Sequence, residues 1–273
     1  MAYSFHFGTT IGALTDFSGA AYNLTVVSDD NPLIPEFDIG VYSNPQAHKQ
    51  GMYTGTATER VFEIPCVIRA ASAATLRTQL DSTFGALGLG LSSGYLKLDT
   101  WPTRIWYGRF VGRSGEKRHG ANNMLFTLTF RCEDMFAYAT SLTTQTITIS
   151  SDPQTFMVPA TSGTVVAGNV DPTPVWVIKN TSGGDEYGLI LANATTGETI
   201  NISGLADTYW LKLDFDRQVV ELSTDSGSTW AAYMTAVGTN ANIPALSHST
   251  QNSITLTGLS AGSVVLTYYA RYL

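Results

Sequence analysis

Catalysis and metal binding need ionisable or nucleophilic side chains in particular patterns, and this chain supplies few. Its four histidines, His6, His48, His119 and His248, are scattered, with none at ligand spacing from another His, Cys or carboxylate, so the close N/S spacing of a zinc site is missing. Asp214 and Asp216 offer oxygen donors suited to calcium, although two carboxylates ahead of Arg217 read more simply as a turn. Two Asp-x-Gly loops, at 38–40 and 225–227, would suit carboxylates that share a proton. Ile39 replaces the hydroxyl residue in the first and the flanks do not match, which removes that reading. Gly88 and Gly90 make a Gly-x-Gly that follows a helical pattern, whereas a pyrophosphate needs the loop to open one. No Gly-x-Ser-x-Gly elbow or Gly-Lys-Ser/Thr loop occurs. A Ser-His-Asp triad is spatial and stays open at this level. The chain is therefore read as having no catalytic, metal or cofactor-binding residues and no cofactor.

Residues 223–230, Ser-Thr-Asp-Ser-Gly-Ser-Thr-Trp, fit the Asp-box pattern known from sialidase propellers. Physically this is a hairpin tip: the Asp caps turn amides, Gly takes a positive φ, and Trp anchors the next strand. One copy carries no catalytic weight, and a glycosidase would need paired carboxylates in a cleft. Cys66 and Cys132 fall in predicted strands and read as small buried hydrophobes; a disulfide would need their Cα atoms within about 7 Å, which stays open. Four Asn-x-Ser/Thr triplets, at Asn23, Asn180, Asn193 and Asn201, read as chance in a Thr-rich chain.

Two groups of residues remain as candidates for contact with other molecules. Arg113, Lys117, Arg118 and His119 concentrate positive charge at one hairpin tip, which is either a solvated turn or a contact for an acidic neighbour. Trp176, Trp210 and Trp230 lie in the second half; tryptophans there pack a core, or stack on a sugar ring where exposed.

The elements that would position these groups are mostly strands. The 273 residues suffice for two domains, and the charged fraction of 14 % is low, with Thr, Ser, Gly and Asn in its place. Strand-like runs occupy 22–27 and 60–68, where Pro65 argues for an edge or a bulge. Residues 40–59 read as a long exposed loop or arm. Ser72 caps a helix carrying Leu76, Leu80, Phe84 and Leu87. A strand pair follows at 94–99 and 104–112, then a glycine- and charge-rich tip over 112–123. Residues 140–145 read as a linker. Ten short strands are predicted beyond it, at 146–150, 155–159, 163–168, 175–179, 187–192, 199–202, 209–215, 218–222, 253–256 and 264–272, which implies a sandwich.

Charge is uneven. Residues 1–138 hold 11 basic and 12 acidic groups, and residues 139–273 hold 4 and 10. Neither half has the basic surface that gripping nucleic acid requires; an acidic wall suits DNA that must slide past. No apolar run reaches membrane-spanning length. The first basic residue is Lys49, so a secretory signal is not expected.

The most informative stretch is 122–138, NNMLFTLTFRCEDMFAY. Met124, Phe126, Leu128, Phe130 and Cys132 alternate with Leu125, Thr127, Thr129 and Arg131, which marks a long amphipathic strand, expected to stop at Glu133-Asp134. A long strand followed by Cys-acid-Asp-x-Phe-x-Tyr resembles the close of the N-terminal domain in distal tail proteins of long-tailed, siphovirus-type bacteriophages. Met135 stands where that family usually has Pro. The order of arm, strand, one helix, hairpin and long strand carries the same resemblance over the first half. In the second, 210–222 (WLKLDFDRQVVEL) and the last strand, VVLTYYARYL, look like the lectin-like C-terminal domain common in the family.

The resemblance implies a mainly β fold. A β-sandwich or split-barrel-like, ring-forming domain with one α-helix (1–139) would be joined by 140–145 to a C-terminal lectin-like, galectin- or carbohydrate-module-like β-sandwich (146–273). It implies a structural, non-enzymatic virion protein, assembled in the host cytoplasm and placed at the tail tip. A homo-hexameric ring would join the tail tube protein to the tail-tip hub, with DNA passing through unbound and no membrane insertion. The outer sandwich would meet receptor-binding proteins, fibres or host saccharide. The alternative is a carbohydrate-binding module mediating adhesion to the host surface.

Overall fold

The computed structural model describes residues 3–27, 36–38, 41–44, 49–52, 56–88, 92–233 and 243–273. It is mainly β and divides into two compact units, Met1–Thr140 and Ser141–Tyr272. Among the described residues no helix is long and apolar enough to cross a membrane.

The first unit is built from β1 (Phe5–Gly8), β2 (Thr15–Asp16), β3 (Leu24–Val26), β4 (Glu36–Asp38), β5 (Val41–Asn44), β6 (Lys49–Met52), β7 (Thr56–Glu59), β8 (Val61–Arg69), α1 (Ala73–Leu87), β9 (Gly94–Leu98), β10 (Arg104–His119) and the start of β11 (Asn123–Ile149). Its main path runs β11-β10-β9-β1-β2, and β8 pairs with both β11 and β3. The alternation along β11 does what period two predicts: Phe126, Leu128, Phe130 and Cys132 are buried while the residues between them are not. Phe5, Phe7, Phe110 and Phe130 form the aromatic centre, with Phe110 and Phe130 ring centroids 5.2 Å apart and edge-on.

Several details depart from the sequence reading, each for a local reason. Strand β8 is not an edge. The Pro65 carbonyl accepts from Val27 N (2.7 Å), so its imide nitrogen also points to that side, just past the end of β3, and no ladder bond to β11 is lost. The helix is capped as predicted, with Ser72 Oγ accepting from Thr75 N at 3.1 Å. Its buried stripe is Leu76, Gln79, Thr83 and Leu87, however, which turns Leu80 and Phe84 to the flank. The segment 40–59 contains paired strands, β5 with β6 and β7 with β4, where a loop was expected; Gly40, His48 and residues 53–55 lie outside the described residues. Strand β1 had no predicted counterpart, although Phe5 and Phe7 alternate with His6 and Gly8.

The long strand does not stop at Glu133-Asp134. Trp106 stands opposite Ala137 and Gly108 opposite Cys132, so Tyr107 alone faces residues 133–136 and the acidic motif is a large bulge. Beyond it β11 runs on to Ile149, and residues 140–145, expected as a linker, lie inside this strand.

The second unit contains the rest of β11 with β12 (Gln154–Val158), β13 (Val175–Asn180), β14 (Glu186–Asn193), β15 (Glu198–Leu205), β16 (Trp210–Asp214), β17 (Val219–Ser223), β18 (Ala231–Ala232), β19 (Asn252–Thr257) and β20 (Gly262–Tyr272). One sheet runs β18-β17-β16-β13-β20 and continues to β11; the other is β12-β19-β14-β15. Between them Trp176, Ile178, Leu211, Leu213 and Leu266 meet Leu189, Leu191, Ile200, Ile254 and Leu256 in one core. Of the ten predicted strands only 163–168 is absent, reduced to an isolated bridge between Gly168 and Arg271.

Candidate functional site: a helix–hairpin groove and a tyrosine cleft

The chemistry-bearing side chains are mostly tied into local structure. Asp225 accepts hydrogen bonds from Thr229 Oγ1 (2.6 Å), Ser223 Oγ (2.7 Å) and Thr229 N (2.8 Å). The Thr229 hydroxyl, the Ser223 hydroxyl and the Thr229 amide together hold its carboxyl down to about 2. Gly227 takes φ +86°, and a Cβ there would meet the Trp210 ring at 2.6 Å. The 223–230 segment is thus a self-capped turn. Asp214 likewise caps a turn, its Oδ1 accepting from Arg217 N at 3.1 Å.

His6 Nε2 lies 3.0 Å from Asp99 Oδ1 and His248 Nδ1 lies 2.7 Å from Asp171 Oδ1, as separate pairs, and His119 is exposed. No group of three or more His, Cys, Asp or Glu that could hold a metal occurs among the described residues. Cys66 and Cys132 are buried thiols, not a disulfide, and burial pushes the Cys66 thiol up. Asn180 and Asn193 are fully buried and organise loops. Asn180 Nδ2 donates to Gly184 O (2.9 Å) and Leu205 O (2.8 Å), which puts it out of reach of glycosylation.

The basic candidates extend further along a strand than the sequence suggests. Strand β10 stays paired with β11 as far as His119 opposite Asn123, so the tip is only residues 120–122, turned at Gly120 with φ +66°. Arg113 sits over the Phe84 ring at 4.3 Å and its Nε is 2.7 Å from Glu116 Oε1. Arg118 Nη2 donates to Ala121 O at 3.3 Å. Lys117 and His119 are exposed. Between α1 and this hairpin runs a groove of about 580 Å³, lined by Leu80 and Phe84 on the helix and by Arg113, Glu116, Arg118 and Met124 across from them. The half-buried Leu80 and Phe84, expected in the core, are its apolar floor.

The three tryptophans are placed differently. Trp176 is fully buried and its Nε1 donates to Pro244 O at 3.1 Å. It is a core residue, which corrects its reading as a sugar-stacking candidate, since no face is exposed. Trp210 carries Lys179 Nζ 3.8 Å from its ring centroid and has the Gly227 backbone against it. Trp230 carries Lys212 Nζ at 4.8 Å, and that ammonium is also paired with Glu221.

A second concavity had no signal in the sequence. At the open side of the second unit, between the edge strand β15 and the β17–β18 edge, lies a cleft of about 310 Å³. Asp185, Tyr187, Ser203, Tyr209, Leu222 and Tyr233 line it. These residues span 49 positions and converge only once the sheets stack. The sole local hint is an aromatic residue, Tyr187, beside the acidic pair Asp185-Glu186.

No protein-family model matches the chain, and no curated protein matches its sequence. Its structure is similar to solved ones. SPP1 Dit (gp 19.1), described as a paradigm of the hub adsorption apparatus in phages that infect Gram-positive bacteria, matches with a TM-score of 0.75 and 13 % identity, over 100 % of this chain and 100 % of that one. A chain of the phage P2 baseplate in its activated conformation with Ca matches with a TM-score of 0.57 and 10 % identity, over 99 % and 98 %. A chain of the corresponding phage p2 baseplate structure with Sr gives 0.53 and 10 %, over 97 % and 98 %. At these identities the likeness is one of fold.

Proposed function

We propose that this chain is a distal tail component of a long-tailed bacteriophage, a structural protein of the tail tip. The observation that carries the reading is the end-to-end likeness to SPP1 Dit, which takes in all of both chains at a TM-score of 0.75. Fold alone does not assign function. The second support is the order of elements through the first half and the 122–138 motif, which point to the same family. In this reading the first units of six copies close into a ring that joins the tail tube to the tail-tip hub.

A closed ring is heterologous: one face of each copy meets a different face of the next. The helix–hairpin groove, with Arg113, Lys117, Arg118 and His119 along its strand, is our candidate for one such face. Residues 1–138 hold 11 basic and 12 acidic groups, so a passage through a ring of first units would lack the basic surface that grips DNA. No chemical step is assigned to the protein. Its second unit would face outward, toward receptor-binding proteins, fibres or host saccharide, and the tyrosine cleft favours the last of these.

Gold-labelled antibody raised against the chain, applied to intact particles that carry it, tests the placement. Label confined to the tail end farthest from the capsid is the expected result. Label along the tube or on the capsid would contradict it.

A further inference from the structure

We infer that the tyrosine cleft of the second unit is a binding site for a neutral saccharide, with room for one or two sugar rings. The inference deepens the host-facing part of the reading above and rests on it only for where such a ligand would be met.

Tyr187 is the starting point. It is 73 % exposed, yet its position is fixed. It stands opposite Gly204 on β15, and a Cβ at Gly204 would lie 3.1 Å from Tyr187 Cδ1. Glycine therefore lets the ring lie close against the neighbouring strand. Cδ1 and Cε1 of the ring lie against that glycine, and most of the side chain is open to solvent. An exposed tyrosine with no role is normally a mobile one. This one stands beside Tyr209, Leu222 and Tyr233, which are partly buried and packed against the core.

The polar groups are placed with similar economy. Asp185 Oδ1 accepts from Asp207 N at 3.1 Å, and Asp207 Oδ1 in turn accepts from Gly183 N at 3.1 Å, which fixes the carboxylate. Asp185 Oδ2 is then left 3.5 Å from the Tyr187 hydroxyl, a gap longer than a good hydrogen bond. Ser203 adds a hydroxyl on the same wall. The turn that delivers Tyr209 passes through Thr208 at φ +67°, a left-handed conformation that a β-branched residue adopts only under constraint.

These features select the ligand class. Aromatic faces beside a carboxylate and hydroxyls match a sugar, whose C–H face packs on a ring while its hydroxyls donate to the carboxylate. A purely apolar peptide side chain would desolvate Asp185 Oδ2 without offering it a donor, which is costly. An anionic ligand would meet Asp185, with Asp207 and Glu186 nearby in sequence, and among the described residues no lysine or arginine lines the cleft. The volume lies at the low end of the range for ligand sites, roughly 300 to 1,000 Å³.

Saturation-transfer difference NMR on the full chain tests this, with glucose, galactose and N-acetylglucosamine at millimolar concentration and glucuronic acid as the anionic probe. The expected result is transfer to the ring C–H protons of at least one neutral sugar. Tyr187→Ala should then weaken binding about tenfold, the size of one lost stacking contact. Asp185→Asn, which keeps the shape and removes the charge, should weaken it several-fold. Tyr187 is so exposed that its loss leaves folding intact, and circular dichroism checks this. No transfer to any neutral sugar, transfer only to glucuronic acid, or binding that survives Tyr187→Ala would overturn the inference. The mass of the assembly is read on the same samples: rings that bind no sugar remove the saccharide site alone, and sugar binding without rings removes the tail-ring reading alone.

Discussion

At the scale of single residues, most of the groups that could do chemistry are engaged in holding turns. Asp225 makes the case testable through pH. Its carboxyl is held down to about 2 in the fold against an ordinary value of 3.8, so the folded state keeps this group ionised where the unfolded chain protonates it. The stabilisation is complete above about pH 4 and is lost as the pH falls through about 2. Asp225→Ala should therefore lower the thermal midpoint at neutral pH, with the gap to the parent closing across that window in calorimetry. A gap that persists unchanged at pH 2 would mean that the charge is irrelevant. Asn180 is a second case. Asn180→Ala takes the amide donor from the Leu205 carbonyl in a buried place, and denaturant unfolding should report a loss of about 2 kcal/mol. A third concerns the cysteines: a thiol reagent should leave Cys66 untouched in the native protein and label it in denaturant.

At the scale of elements, legibility in the sequence depended on period and length. The alternation of 124–132 made β11 unmistakable, and Ser72 with its following leucines made α1 so. The face that α1 buries was read one step out of phase, because Gln79 and Thr83 are polar yet buried. Gln79 Nε2 donates to Ala20 O at 3.2 Å and Thr83 Oγ1 to Gln79 O at 2.8 Å, bonds that hydrophobicity alone does not show. Strand β1 is four residues, too short for a period to emerge. The bulge at 133–136 was legible as a break but not as a continuation, since what carries β11 onward is pairing with elements distant in sequence. The tyrosine cleft was illegible for the same reason, while Trp176 was over-read because a tryptophan's exposure is a tertiary fact.

The bulge also yields a prediction at this scale. A Cβ on Gly108 would lie 2.2 Å from Arg131 O and 2.7 Å from Cys132 Cα. Because both are backbone atoms, Gly108→Ala must push β10 off β11. A loss of about 1–3 kcal/mol in denaturant unfolding is expected, whereas Gly112→Ala, with nothing within 4 Å, should be nearly silent.

At the scale of the whole molecule, one chain carries two compact units, the first with an amphipathic groove and the second with an acidic excess. Neither unit alone explains the other: a lectin-like sandwich has no need of the first unit, and a ring needs no tyrosine cleft. In the proposed reading both are used, assembly falling to the first unit and contact to the second. The most direct test is the mass of the purified chain by light scattering on a sizing column, with negative-stain images of the same fractions. The account predicts particles of six times the 29.4 kDa chain mass, seen end-on as rings with an open centre. A monomer at every concentration, with no ring in any fraction, would contradict it.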